Sequence, residues 1–163
     1  MPLRSHASVP TTHPNSAGAD PSATIARLTD SAEINDRALR RYVKRVNERW
    51  PLSQAWLGGA RVDDAGGMGA QRERGPEFVV VLVSEDFGGV PWLERVYHAA
   101  ALWDAGAMGA RVDVHCYTPE ELDRKLDSVR FVRRATEHGL DLLTVLSIKK
   151  QPAKKKDGKK KPK

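Results

Sequence analysis

Cysteine is almost absent from this sequence: Cys116 stands alone, so no intramolecular disulfide can form and no Cys-x-x-Cys pair exists to hold a structural zinc. The fold has to hold by packing, in a compartment of either redox poise. Long apolar runs are missing too. The longest, Phe78 to Val83, has six residues, against the roughly 20 that a membrane-spanning helix needs, so a soluble protein is expected. Residues 1–29 contain no continuous apolar centre of the kind a signal peptide needs, and only Arg4 and Arg27 where a transit peptide carries several arginines. A cytoplasmic location is the expectation. Neither Gly-x-Ser-x-Gly nor Gly-x-x-x-x-Gly-Lys-Ser/Thr occurs, which leaves a serine-hydrolase elbow and a P-loop without support. With 163 residues, 40% of them apolar, the chain has room for one small globular domain with polar ends, not for a multidomain enzyme.

The net charge of +6 is unevenly placed. Residues 149–163 hold nine lysines against Asp157, a local charge of +8, which leaves −2 for everything before them. The body is nearly neutral, and the basic character belongs to an appendage. Such a tail reads as a solvated, disordered end, or as an arm making weak, non-specific and salt-sensitive contact with nucleic acid. Residues 1–29, with prolines at 2, 10, 14 and 21, likewise read as disordered. The domain is expected over residues 30–148.

Asp30-Ser31-Ala32-Glu33 has the acceptor and the acidic residue three positions later that mark a helix start. Leu39, Tyr42, Val43, Val46 and Trp50 then form an apolar face, with a basic, solvated face opposite, and Pro51 closes the helix. A short strand over 53–57 ends in Gly58-Gly59. The segment 58–76 contains six glycines and reads as a long loop. Glu77 then opens the β-branched run to Val83, apolar on both faces as a central buried strand is. After a turn at Asp86-Phe87-Gly88-Gly89, Pro91 suits the first turn of a helix whose buried face is expected to hold Trp92, Val96, Tyr97, Ala100 and Trp103. Arg111 to Tyr117 alternates, Val112, Val114 and Cys116 on one side, Asp113, His115 and Tyr117 on the other. Thr118-Pro119-Glu120-Glu121 opens a helix carrying Leu122, Leu126, Val129 and Val132 inward to Gly139, and Leu140–Ile148 reads as a last strand. This order describes an α/β (α+β) domain: a small mixed sheet with helices packed on it.

A helix, a strand ending in Gly-Gly, a loop, then a buried strand opened by an acid: from residue 34 to 146 this organisation resembles the nucleotidyltransferase domains of the polymerase-beta type, above all small bacterial ones. The similarity is most specific in Val-Leu-Val-Ser-Glu-Asp-Phe, Pro-Trp-Leu-Glu-Arg-Val and Cys-Tyr-Thr-Pro-Glu-Glu-Leu, between Val79 and Leu143. The resemblance implies transfer of a nucleoside monophosphate from a triphosphate (NTP), with Mg²⁺, to an acceptor. That chemistry needs carboxylates converging on two metals about 3.5–4 Å apart, which stabilise attacking and leaving oxygens together. Asp-x-Asp supplies two of them on one strand face, and a neighbouring strand the third.

On this chain the first family Asp falls on Glu77, the second on Val79 and the third on Asp113. The resemblance thus makes Glu77 and Asp113 the metal-holding, catalytic candidates, and places Gly58, Gly59 and Arg61 near the nucleotide phosphates. It departs from the family at three points: Glu77 is a methylene longer than the family Asp, valine cannot bind a metal, and the Gly-Ser pair has lost its hydroxyl. The expected function is nucleotidyl transfer, weak or lost; the alternative is a binding or scaffold protein acting through a protein partner or, with its lysine tail, on RNA. Each candidate also has a plainer reading, as a solvated acid at a strand end or a turn glycine. His98, His115, Cys116 and His138 do not make a zinc site by spacing, since the adjacent His115 and Cys116 point to opposite faces of a strand. Cys116 reads as a core residue rather than a nucleophile.

Overall fold

A computed structural model describes residues 34–65 and 75–150. Its centre is strand β2, Phe78–Val83, in which all six side chains are buried. A β-strand sends alternate side chains to opposite faces, and here each face has its own cover. Phe78, Val80 and Leu82 join one apolar cluster; Val79, Val81 and Val83 join a second. Burial of such side chains is worth roughly 1.5–3 kcal/mol apiece. A continuous run of apolar residues, rather than an alternating one, is what two covered faces demand.

Strand β1, Gln54–Gly58, pairs antiparallel with β2, and β3, Val112–Tyr117, pairs parallel with it on the other side. With the short β4, Leu140–Asp141, antiparallel to β1, the four-stranded mixed sheet has the order β3-β2-β1-β4. The mixed sheet with helices packed on it is the architecture the sequence leads one to expect.

The first cluster is roofed by α1, Asp36–Arg49, whose Leu39, Tyr42, Val43 and Val46 are buried at three- and four-residue steps. Asn35 caps α1, its side-chain oxygen accepting from the Ala38 amide at 3.0 Å. The start signal expected at Asp30–Glu33 lies outside the described residues, as do residues 1–29, 66–74 of the glycine-rich loop and the tail from 151 onward. Before Pro51, Trp50 leaves the helix in extended conformation. The described part of the expected loop is not irregular: Ala60–Ala65 forms a short helix, α2.

Between β2 and β3, a 3-10 turn at Glu85–Phe87 leads to α3, Trp92–Ala101, and a one-turn α4, Ala105–Met108. Here the expected buried face needs correction. Trp92 and Tyr97 are exposed, while Arg95 and Ala99 are the buried pair. Pro91 stands one place earlier than expected, as the residue before the helix.

The second cluster is covered by α5, Pro119–Lys125, and α6, Arg130–His138. Thr118 and Glu121 make the reciprocal cap their spacing predicts. The single helix expected from Thr118 to Gly139 is two, interrupted over residues 126–129. Tyr117, expected on the polar side of β3, is buried in this cluster. The last apolar stretch is also different from its expected strand. After two strand residues, Asp141 accepts from the Leu143 and Thr144 amides at 3.1 and 3.2 Å and starts α7, Leu142–Val145. The cap ends the strand because its carboxylate satisfies amides that a further strand would have had to pair.

Candidate functional site

The register of the sheet places the candidate residues in a row. Gly58 of β1 lies opposite Val79 of β2, and Val79 lies opposite Asp113 of β3. Glu77 immediately precedes β2, at the end of the strand where Asp113 stands on β3. Glu77 and Asp113 share a shallow depression of about 390 Å³ with Pro76, Arg111 and Val112.

Both carboxylates have partners already. The Arg61 guanidinium stands 3.6 Å from Glu77 Oε2, donates to the Gly109 carbonyl at 3.2 Å and lies over the Phe78 ring at 5.6 Å. Gly109, at φ 73, ends α4 in the left-handed conformation that frees its carbonyl to face Arg61. Asp113 Oδ2 is 3.2 Å from His115 Nε2, and His115 Nδ1 is 3.3 Å from the Tyr117 hydroxyl. An ionised carboxylate only accepts, so Nε2 faces Asp113 as a donor, and in the neutral imidazole Nδ1 then accepts from the Tyr117 hydroxyl. Burial raises the Tyr117 hydroxyl above its ordinary pKa, and the Asp113 charge adds to the effect. The ordered chain from Tyr117 to Asp113 follows from three side chains at two-residue steps on one strand face. Alternation of the sequence brings them to one side; the hydrogen bonds among them were not expected from it.

The glycines are placed differently from the carboxylates. A side chain at Gly58 would meet the Ala135 Cβ at 2.9 Å, so its bareness lets α6 lie directly on β1. Gly59, at φ 108, would bring a Cβ within 2.5 Å of the Glu77 carbonyl oxygen. The amides that follow are engaged: Ala60 donates to Pro76 at 3.1 Å, Arg61 to Glu77 at 3.2 Å and Val62 to Gly59 at 3.0 Å. Gly58 and Gly59 thus seat one strand beneath a helix and beside the entrance of the next.

The donor set of the row does not fit a two-metal arrangement. Its middle position, Val79, is 1% exposed and packed in the cluster that contains Val132 and Ala135 of α6. Among the described residues, no group of three or more His, Cys, Asp or Glu is placed to hold a metal ion. Glu77 and Asp113 remain as two carboxylates at the open margin, one opposite an arginine and one opposite a histidine. Cys116 is buried on the other face, and burial pushes its thiol up to about 12, far from the thiolate a nucleophile needs.

Among the described residues, no helix is long and apolar enough to cross a membrane. No protein-family model and no curated protein matches the chain. Among solved structures, it is similar to a protein of Sulfolobus solfataricus provisionally described as a nucleotidyltransferase, with 14% sequence identity, a TM-score of 0.39, and coverage of 68% of this chain and 85% of that one.

Proposed function

We propose that this chain is a nucleotidyltransferase-fold protein in which nucleotidyl transfer is weak or lost and recognition of a nucleoside triphosphate at the Glu77–Asp113 margin is what survives. One observation carries the reading: of the three positions that the resemblance assigns to metal-binding carboxylates, Val79 and Asp113 are register partners on adjacent strands, and Glu77 lines the same depression as Asp113. The middle one, Val79, is an apolar residue beneath α6. A row that keeps the placement and loses the central charge supports descent from a catalytic site with its chemistry reduced. Arg61 and Arg111 supply the positive charge near the depression that a triphosphate would meet.

Thermal unfolding of the full chain with each nucleoside triphosphate, with and without Mg²⁺, tests this. A ligand at about 100 times its dissociation constant adds roughly 2.7 kcal/mol to stability, which moves the midpoint by several degrees in a domain of this size. The expected result is a shift with at least one triphosphate that Arg61→Gln or Asp113→Asn diminishes. No shift with any of them would overturn nucleotide recognition. The chain would then be read as a binding protein that acts through a protein partner or RNA.

A further inference from the structure

The solvent side of α1 carries Arg37, Arg40, Arg41, Lys44, Arg45 and Arg49 against Asp36 and Glu48, a net charge of +4 in 14 residues. All six cations are exposed. The fold employs some of them: Arg40 donates to the Leu146 carbonyl at 2.6 Å, and Arg41 reaches Asp104 at 3.3 Å. Arg37, Lys44 and Arg45 have no ion pair among the described residues. Charge of this density on one helix face, with half of it unspent on the fold, is available to a polyanion.

The face continues into a groove between α1 and α3, about 480 Å³, lined by Arg45, Glu48, Arg49 and His98. Two of these, Arg49 and His98, touch aromatic rings that stand beside the groove. The Arg49 guanidinium lies 4.7 Å over the Trp50 ring, Trp50 packs 6.3 Å from His98, and Tyr97 meets the His98 ring edge-on at 5.6 Å. Trp50 is buried and serves to hold Arg49 and His98; Tyr97, 72% exposed, is free to stack. A basic groove with an exposed aromatic ring at its rim is the arrangement that binds single strands, where phosphates meet the charges and an unstacked base meets the ring. The Arg40–Leu146 hydrogen bond also brings the chain to this side three residues before Lys149, where the lysine-rich sequence begins.

We infer that the outer face of α1 and the α1–α3 groove bind single-stranded nucleic acid, with Arg37, Lys44, Arg45 and Arg49 on the phosphates and Tyr97 beneath a base. The apolar side of α1 is wholly committed to the core through Leu39, Tyr42, Val43 and Val46. It therefore has no apolar surface to lay into a lipid bilayer. The groove lies across the sheet from the Gly58–Val79–Asp113 row, since α1 and α6 cover opposite clusters. Binding here is independent of any nucleotide at that row.

Fluorescence anisotropy of labelled single-stranded RNA and DNA of about 20 nucleotides, with the full chain and salt varied from about 50 to 200 mM, is the test. Each phosphate contact contributes about 0.7 to the slope of log K against log salt for a single strand. The combined variant R37Q/K44Q/R45Q is expected to lower that slope by about 2, and Tyr97→Ala to weaken binding about fivefold or more with the slope unchanged. A chain ending at Lys150 is expected to keep binding that still responds to the combined variant. An unchanged slope in R37Q/K44Q/R45Q, no effect of Tyr97→Ala, or complete loss of binding without the tail would each overturn the inference. So would equally tight binding of duplex RNA, of poly-glutamate or of phosphatidylserine vesicles, which would make the face a general polyanion, acidic-protein or membrane surface.

Discussion

Arg95 of α3 and Glu121 of α5 form a two-bonded ion pair, with Nη1 to Oε2 at 2.5 Å and Nη2 to Oε1 at 3.2 Å. The guanidinium is nearly fully buried, donates from Nε to the Val90 carbonyl at 2.7 Å and lies over the Phe87 ring. Glu121 Oε2 accepts from the Thr118 amide as well, so one carboxylate closes the cap of α5 and neutralises the charge under α3. Removing the acid strands a buried cation. Glu121→Ala is expected to cost about 3 kcal/mol in urea unfolding, with Glu121→Gln, which keeps an oxygen acceptor for the amide, costing less. Equal and small losses in both would show that the pair is solvated.

The same pair sets a pH dependence. The hydrogen bond from Arg95 holds the Glu121 carboxyl below its ordinary pKa, aided by the Thr118 amide against the opposing effect of burial. A carboxylate with a depressed folded-state pKa stabilises the fold above its unfolded value and loses that contribution as pH falls through the folded value. The wild-type urea midpoint is therefore expected to be insensitive to this group at neutral pH and to fall below about pH 4. In Glu121→Gln this part of the acid limb should flatten. An acid limb identical in the two proteins would assign the loss to other carboxylates, such as Asp141, which also titrates low because Thr144 and Lys150 outweigh its burial.

Arg95 also explains why the pattern of α3 points to the wrong buried face while that of β2 does not. The run from Phe78 to Val83 needs no knowledge of its neighbours, because any strand so uniformly apolar must be covered on both faces. The inward side of α3 is decided by a partner 26 residues away. Its periodicity favours Trp92 and Tyr97, and the fold rotates the helix to bury Arg95 against Glu121 instead. Asp141 is the parallel case in the last segment: a nearly continuous apolar stretch reads as a strand until its one carboxylate caps a helix. For the candidate site, Glu77 and Asp113 could be matched by order along the chain, and parallel pairing brought them to one margin. That α6 lies over Val79 depends on Gly58 meeting Ala135, a contact between segments far apart in sequence, which no local pattern carries.

Tyr42 is buried at the centre of α1, edge-on to Trp103 at 5.1 Å, and its hydroxyl has no hydrogen-bond partner among the described residues. Burial drives its pKa far above the ordinary value, which keeps the hydroxyl neutral. An unsatisfied buried hydroxyl costs about 1–3 kcal/mol, and the ring supplies the packing without it. Tyr42→Phe is thus expected to leave stability unchanged or raise it by about 1 kcal/mol in urea unfolding. A loss of more than about 1 kcal/mol would mean that the hydroxyl is satisfied in the native protein.

Gly58 separates a packing role from a phosphate-binding one. A Cβ there falls 2.9 Å from the Ala135 Cβ and 3.0 Å from its Cα, so Gly58→Ala must push α6 from β1. Overpacking of this kind costs about 1–3 kcal/mol. The pair Gly58→Ala/Ala135→Gly removes the nearer clash, and a coupling of about 1 kcal/mol between the two changes is expected in a double-mutant cycle. Strict additivity would show that the helix does not rest on this glycine.

Val79 offers the sharpest test of what the row was built to do, because it sits between Gly58 and Asp113 across three strands and is almost wholly buried. Val79→Asp places a carboxylate under α6 and beside the charge of Asp113, and a loss of about 3 kcal/mol or more is expected. If the row retains the placement of a metal site, Mg²⁺ will bind the refilled carboxylates in the folded state only. Binding at about 100 times the dissociation constant would then return roughly 2.7 kcal/mol. The measurement is urea unfolding with and without Mg²⁺ at constant ionic strength, in wild type, Val79→Asp and Val79→Asp/Asp113→Asn. Recovery confined to the single variant would mean that one side chain separates this row from a metal centre. Absence of recovery would mean that α6, held down at Gly58, has closed the face, and that Glu77 and Asp113 are surface acids on a sheet edge.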